Sequence, residues 1–203
     1  MKRVALLGPN GMLGSMVNKY LSQSEVLTVH PIKREDFDAQ NTLAVEEALL
    51  DRLEGYDYVI NCIGIIKPYI HDDNAKEIAR AVKVNALFPY YLSKAAEAVN
   101  CRVLQIATDC VYKGDTETGY SESSSHDATD AYGKTKSLGE VSSDHMMHLR
   151  CSIIGPEIKG HVSLLDWLVK QEKNATVNGY TNHLWNGVTT LQFAKLCEGI
   201  IRD

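Results

Sequence analysis

The sequence predicts an α/β protein built on a doubly wound parallel sheet, with a small C-terminal lobe. Three observations predict it. Short apolar runs alternate with stretches whose apolar residues recur at helical spacing. Three glycines, Gly8, Gly11 and Gly14, stand at the first junction between such a run and such a stretch. Beyond residue 155 the alternation gives way to a segment rich in Gly, Asn, His and aromatic residues, closed by one more helical pattern.

The elements follow in order. Residues 3–7 form a short apolar run, hence a buried strand. Residues 12–21 carry Met12, Leu13, Met16, Val17 and Leu21 on one helical face. Residues 26–30 read as a second strand. Residues 42–53 read as a helix with Leu43, Val45, Leu49 and Leu50 inward, and 58–62 as a third strand. A long Ala-rich helix is predicted over 78–99, interrupted near Pro89. A strand at 102–107, a helix at 132–142 and a strand at 148–153 complete the alternation, whose crossovers should be right-handed. The C-terminal segment predicts a helix at 162–170, a short strand at 175–177, a loop over 178–187 and a helix at 190–201. The expected division is a first domain at 1–155 and a partial lobe at 156–203, interwoven with it.

Composition narrows the function classes. The chain has 203 residues, 44% hydrophobic and 23% charged, which is ordinary globular usage. A net charge of −5 gives no global field for nucleic acid, although a local pocket can still be positive. No apolar run reaches the roughly 20 residues of a membrane helix. The apolar N-terminus stops at Gly8-Pro9-Asn10 with no small-residue cleavage site, so a buried strand is expected there rather than a signal peptide. Five scattered cysteines without a C-x-x-C pair suit a reducing compartment, and a cytoplasmic location is expected.

The glycine triplet predicts a phosphate turn. The chain must bend sharply, let a pyrophosphate approach bare backbone, and seat a helix close to the sheet. Residues without Cβ permit all three, and the helix N-terminus adds N–H donors and a positive dipole end. After the second strand an acidic residue would bind the adenosine ribose hydroxyls. The sequence instead has Lys33-Arg34, with Glu35 and Asp36 following. The fork of Arg34 suits a 2′-phosphate, so NADP(H) is favoured over NAD(H).

A catalytic constellation is predicted further on. Tyr132 and Lys136 are four apart at a predicted helix start and face the same side. An ammonium beside the phenol should lower its pKa and suit it to protonate a carbonyl oxygen that accepts hydride. Thr108 stands at the C-terminal end of a predicted strand, where ligands of open α/β sheets bind, and could donate to the same oxygen.

These segments, Leu7 to Gly14, Ala107 to Gly114 and Tyr132 to Glu140, together resemble the extended short-chain dehydrogenase/reductase family. The branch most similar is the dTDP-4-dehydrorhamnose reductase (RmlD-like) group of nucleotide-sugar enzymes. Leu149 to Gly155 and Trp185 to Thr190 have counterparts in that branch too. The resemblance implies a Rossmann-type fold and NAD(P)H-dependent reduction of a keto group on a nucleotide-linked deoxysugar, as in polysaccharide biosynthesis.

It further implies Thr108, Tyr132 and Lys136 as the catalytic set. Implied cofactor contacts are Gly8, Asn10, Gly11, Met12 and Leu13 in the turn, then Arg34 and Asp38, then Cys62, Ile63 and Gly64. Asn85, Ala107, Tyr132, Lys136 and Ile154 complete them. Implied substrate contacts are Thr108, Asp109, Val111, Arg150 and Trp185, with Lys159 and the 178–186 loop as further candidates for phosphate. Ala107 departs from the serine common at that place, and family members usually continue for tens of residues beyond the equivalent of Asp203. Two alternatives stay open: an epimerase of the same family, and a non-catalytic NADP-binding regulatory subunit. The expected partner is a nucleotide sugar, not nucleic acid or membrane, and a homodimer is the candidate assembly. No metal is expected. His145 and His148 read as solvated histidines, Cys110 as a packed cysteine, residues 121–125 as a flexible loop, and Asp127 to Asp130 as helix caps.

Overall fold

A computed structural model describes the chain except Phe37, residues 42–44, 117–118 and 183–184, and Asn186. The sheet is parallel throughout. β1 (Lys2–Leu7), β2 (Leu27–Ile32), β3 (Tyr58–Asn61), β4 (Arg102–Ile106) and β5 (Met146–Leu149) lie in the order β2-β1-β3-β4-β5. Strand order reverses at β1, so a crevice opens beyond the C-terminal ends of β1 and β3. β2 runs on through Pro31, further than the predicted 26–30. An edge strand tolerates a residue without N–H.

The period-two alternation of the strands feeds two cores. Val4, Leu6, Leu27, Ile60 and Leu104 meet Leu13, Val17 and Leu21 of α1 (Met12–Leu21) and Phe193, Ala194, Cys197 and Ile201 of α7 (Thr190–Arg202). Ala5, Leu7, Val59, Val103 and Met146 face the opposite way. They meet Leu49 and Leu53 of α2 (Val45–Leu53) and Phe88 and Leu92 of α4 (Phe88–Ala98). The start of the predicted helix 42–53, with Leu43, lies outside the described residues. The C-terminal helix thus packs beside α1, where Glu198 accepts hydrogen bonds from Tyr20 and Ser24.

The long predicted helix is three pieces: α3 (Ala75–Ala81), a π-helical stretch (Val82–Leu87) and α4. Pro89 has no N–H to return to the Asn85 carbonyl, and the chain takes wider turns just before it. α5 (Ala131–Leu138) stops at Gly139, short of the predicted 142, and a Cβ on Gly139 would overlap that same Asn85 carbonyl. The predicted 148–153 strand is two: β5, then β6 (Ile153–Ile154), which pairs in parallel with β7 (Val188–Thr189). No strand forms at 175–177. α6 (Leu164–Val169) is the one helix between β6 and β7 among the described residues. Among the described residues no helix is long and apolar enough to cross a membrane.

Candidate active site

The first strand ends in a turn that depends on its glycines. Gly8 has φ +74°, a conformation that disfavours side chains, and its α-carbon faces the backbone of Cys62 and Ile63. A Cβ on Gly14 would overlap the Gly8 carbonyl oxygen, so the helix sits directly on the turn. Gly11 differs: the nearest atom to a Cβ there would be Gly8 O at 3.7 Å, an ordinary contact. Nothing in the protein requires glycine at 11, yet it lines a groove of about 320 Å³. Gly11 is also the N-cap of α1 and caps it with no side chain, and the first turn holds no acidic residue. Bare N–H groups, a glycine that leaves room and a helix dipole together fit a pyrophosphate. Met12 opens the helix, Leu13 turns its side chain into the core, and Asn10 is exposed in the turn.

The groove runs along the crevice from Gly8 and Gly11 past Cys62, Ile63 and Gly64 to Lys33, Arg34 and Asp38. Eight of the positions named from the sequence therefore share one surface. Sequence reasoning missed Gln40 and Arg80, which line it as well. Both come from segments without a motif.

Beyond Gly64 a buried polar relay leads to the second cluster. Asn61 Oδ1 accepts Ile63 N–H at 3.0 Å, and Asn61 Nδ2 donates to Gln105 Oε1 at 2.7 Å across β3 and β4. Gln105 Nε2 donates to Ile106 O at 3.0 Å, and Lys136 Nζ donates to the same carbonyl at 2.9 Å. A Cβ on Gly64 would stand 4.0 Å from Lys136 Nζ and 3.6 Å from Asn85 Oδ1. The phosphate groove and the lysine are thus neighbours. Asn85, in the π-helical stretch, holds the Ile65 backbone through both atoms of its amide.

Thr108 caps the 3₁₀ turn Asp109–Val111, accepting Cys110 N–H at 3.2 Å, and hydrogen-bonds the Tyr132 phenol. Gly133 lets α5 rest on that turn, since a Cβ would overlap Cys110 O. Asp130 caps α5, accepting Gly133 N–H at 2.7 Å. Asp127 instead accepts Lys113 N–H, so the capping expected of both falls to Asp130. Two partners unseen in the sequence brace this end: Lys67 pairs with Asp130 at 2.6 Å, and Asp72 accepts Ala131 N–H at 2.8 Å. Thr108 thus holds the Tyr132 phenol just beyond β4, and Lys136 reaches the carbonyl of Ile106, the last residue of that strand.

Electrostatics correct one expectation. Burial pushes the Tyr132 phenol up to about 12, against the Thr108 hydrogen bond, which lowers it. Lys136 does not depress it, because its ammonium is turned to Ile106 O. Burial brings Lys136 down to about 8, with Glu140 opposing.

The other predicted residues separate from this centre in function. Val111 is fully buried and its carbonyl receives the N–H groups of Asp127 and Ala128, so it presents no side chain to a ligand. Arg150 grips Glu140 with Nε and Nη2, and Nη1 donates to Tyr112 Oη and Glu122 O. Its donors hold Tyr112 and Glu122 rather than stand ready for phosphate. Residues 121–124 are bonded among themselves through Ser121, Ser123 and Ser124. Asp109 Oδ1 accepts from Thr108. Ala107 is buried and donates its N–H to Leu149 O. Ile154 is half-buried in β6, while Trp185 and Lys159 are exposed. His183, Leu184 and Asn186 of the candidate loop lie outside the described residues. His145 and His148 are not solvated: each turns a ring nitrogen to a backbone carbonyl, of Cys101 and Val141.

Known proteins resemble this chain in sequence and in fold. A dTDP-4-dehydrorhamnose reductase of Mycolicibacterium smegmatis is 30% identical over 141 residues, covering 68% of this chain and 40% of that protein. One from Streptomyces griseus is 30% identical over 138 residues, 68% of this chain and 43% of that protein. The chain thus spans under half the length of these curated relatives. The crystal structure of dTDP-4-dehydrorhamnose reductase from Bacillus anthracis in complex with NADP superposes with a TM-score of 0.82 at 23% identity, over 100% of this chain and 72% of that one. That likeness shows the fold. A family profile described as the RmlD substrate binding domain matches residues 1–155, and the chain belongs to that family.

Proposed function

We propose that the protein reduces a keto group on a nucleotide-linked deoxysugar, using NADP(H) in preference to NAD(H). The observation that carries this reading is that Thr108 hydrogen-bonds the Tyr132 phenol while Lys136 reaches Ile106 O at the end of β4, beside Gly64 of the groove. The names of the relatives support the substrate class. Lys33 and Arg34 in the groove support the cofactor preference.

A bound reduced dinucleotide would supply hydride to the carbonyl carbon. The residues of the chain would do the rest. Tyr132 keeps its proton at neutral pH, as a phenol with a pKa near 12 must, and gives it up only as negative charge builds on the carbonyl oxygen. Thr108 orients that oxygen. Lys136, largely protonated at pH 7, would offer its remaining N–H donors to the cofactor ribose. Gly8, Gly11 and the α1 N-terminus would hold the pyrophosphate. Residues 156–203 would contribute to the substrate side.

The experiment is turnover of a panel of 4-keto-sugar nucleotides with NADPH, followed by absorbance and product analysis. One NADPH consumed per keto group reduced is expected. Turnover with no net NADPH consumption would replace this reading with an epimerase.

A further inference from the structure

The mouth of the groove carries a line of hydrogen bonds that the reading above does not use. Both oxygens of Asp38 are engaged. Oδ2 accepts Arg34 Nε at 3.2 Å and Nη2 at 2.8 Å, and Oδ1 accepts Gln40 N at 3.0 Å and Nε2 at 3.4 Å. Gln40 Oε1 in turn accepts Arg80 Nε at 3.0 Å. Arg34, Asp38, Gln40 and Arg80 thus bridge the loop after β2 to α3, with a guanidinium at each end.

The acceptors in this line are spent on protein donors. A ribose hydroxyl seeking the Asp38 carboxylate would compete with four N–H groups already there. What the line offers a ligand is donors and positive charge. Of the four charged side chains that line the groove, Lys33, Arg34 and Arg80 are cationic and Asp38 alone is anionic. This local excess sits on a protein whose net charge is −5. The Nε bond to Gln40 fixes the plane of Arg80, and its terminal nitrogens carry the remaining donors in the fork that suits phosphate oxygens.

Resting on the dinucleotide reading, we infer that Arg80 is a specificity-determining residue, which with Arg34 clamps the phosphate monoester on the adenosine ribose of NADP. Asp38 and Gln40 set the spacing of the two guanidinium groups and do not themselves read the ribose.

The test is calorimetric titration of the whole chain with NADP⁺ and with NAD⁺ at fixed ionic strength, which needs no turnover. The unaltered protein should bind NADP⁺ more tightly. Arg80→Gln should weaken NADP⁺ by roughly tenfold or more, the loss of a charge-assisted hydrogen bond, and leave NAD⁺ unchanged. Arg80→Lys, which keeps the charge but not the fork, should fall between. Arg80 is exposed, and an unchanged melting temperature checks that the variants fold. Equal weakening of both nucleotides, or no weakening of either, overturns the clamp and leaves the dinucleotide site standing. Failure of the unaltered protein to bind either nucleotide overturns the dinucleotide reading, and the clamp with it.

Discussion

The Asn85 amide and the Ile65 backbone close a ring of two hydrogen bonds: Oδ1 accepts Ile65 N–H at 2.8 Å, and Nδ2 donates to Ile65 O at 2.9 Å. Both residues are buried. The helix bearing Asn85 therefore holds the segment that leaves β3 and lines the groove. Asn85→Ala removes both partners and leaves two buried backbone groups unpaired, a loss of about 2–4 kcal/mol. Urea denaturation should show that loss, and titration with NADP⁺ should show weaker binding. Asn85→Asp keeps the acceptor and loses the donor, and should fall between.

The glycines of the turn divide into two kinds, and alanine at each should tell them apart. Gly14→Ala forces Cβ into the Gly8 carbonyl, so stability should drop by about 1–3 kcal/mol. Gly11→Ala meets only an ordinary 3.7 Å contact, and the residue's φ of −83° suits alanine. Its melting temperature should hold while dinucleotide affinity falls. A Gly11→Ala protein that binds as before would show that the groove takes no phosphate at this point.

Lys136 should cost stability where it is charged. The residue is 8% exposed, and burial lowers its pKa from 10.5 to about 8. Below pH 8 both folded and unfolded chains hold the proton, and the full penalty of about 3 kcal/mol applies. Between pH 8 and 10.5 the unfolded chain binds more proton, so stability rises with pH across that window. Lys136→Met should therefore stabilise the protein at pH 7, with the gain fading towards pH 10.5. Ile106 O keeps the Gln105 donor, so the substitution leaves no orphaned carbonyl. Chemical denaturation at pH 7 and pH 10 measures the effect.

Arg150 and Glu140 form a pair whose side chains are 24% and 9% exposed. Arg150→Met leaves the Glu140 charge without its main partner and frees Tyr112 and the Glu122 carbonyl. A loss of about 3 kcal/mol and faster proteolysis beside Tyr112 and Glu122 are expected. Adding Glu140→Gln should recover part of the loss, so a double-mutant cycle will be strongly non-additive.

Much of this was legible in the residues. Strand alternation, the glycine spacing and the four-residue step from Tyr132 to Lys136 are local patterns, and local geometry honours them. What the residues concealed is tertiary. The close approach of Gly139 to the Asn85 carbonyl joins residues far apart in sequence. The split of the last predicted strand depends on a partner, Val188–Thr189, more than thirty residues away in sequence. The pKa of Tyr132 turns on its burial, which spacing alone does not set. Arg150 offered a phosphate ligand by its charge, but a carboxylate ten residues away already holds it. Arg80 and Gln40 carry no motif, and only the fold brings them to the groove.

The central claim is that the Tyr132 phenol delivers the proton while neighbouring groups bind. Tyr132→Phe removes one oxygen from a half-buried ring and should leave NADPH affinity and melting temperature unchanged. Measured side by side on the same keto-sugar nucleotide, NADPH titration should match the unaltered protein while the rate of NADPH oxidation falls by roughly 10² or more. Oxidation at the original rate would contradict the assignment.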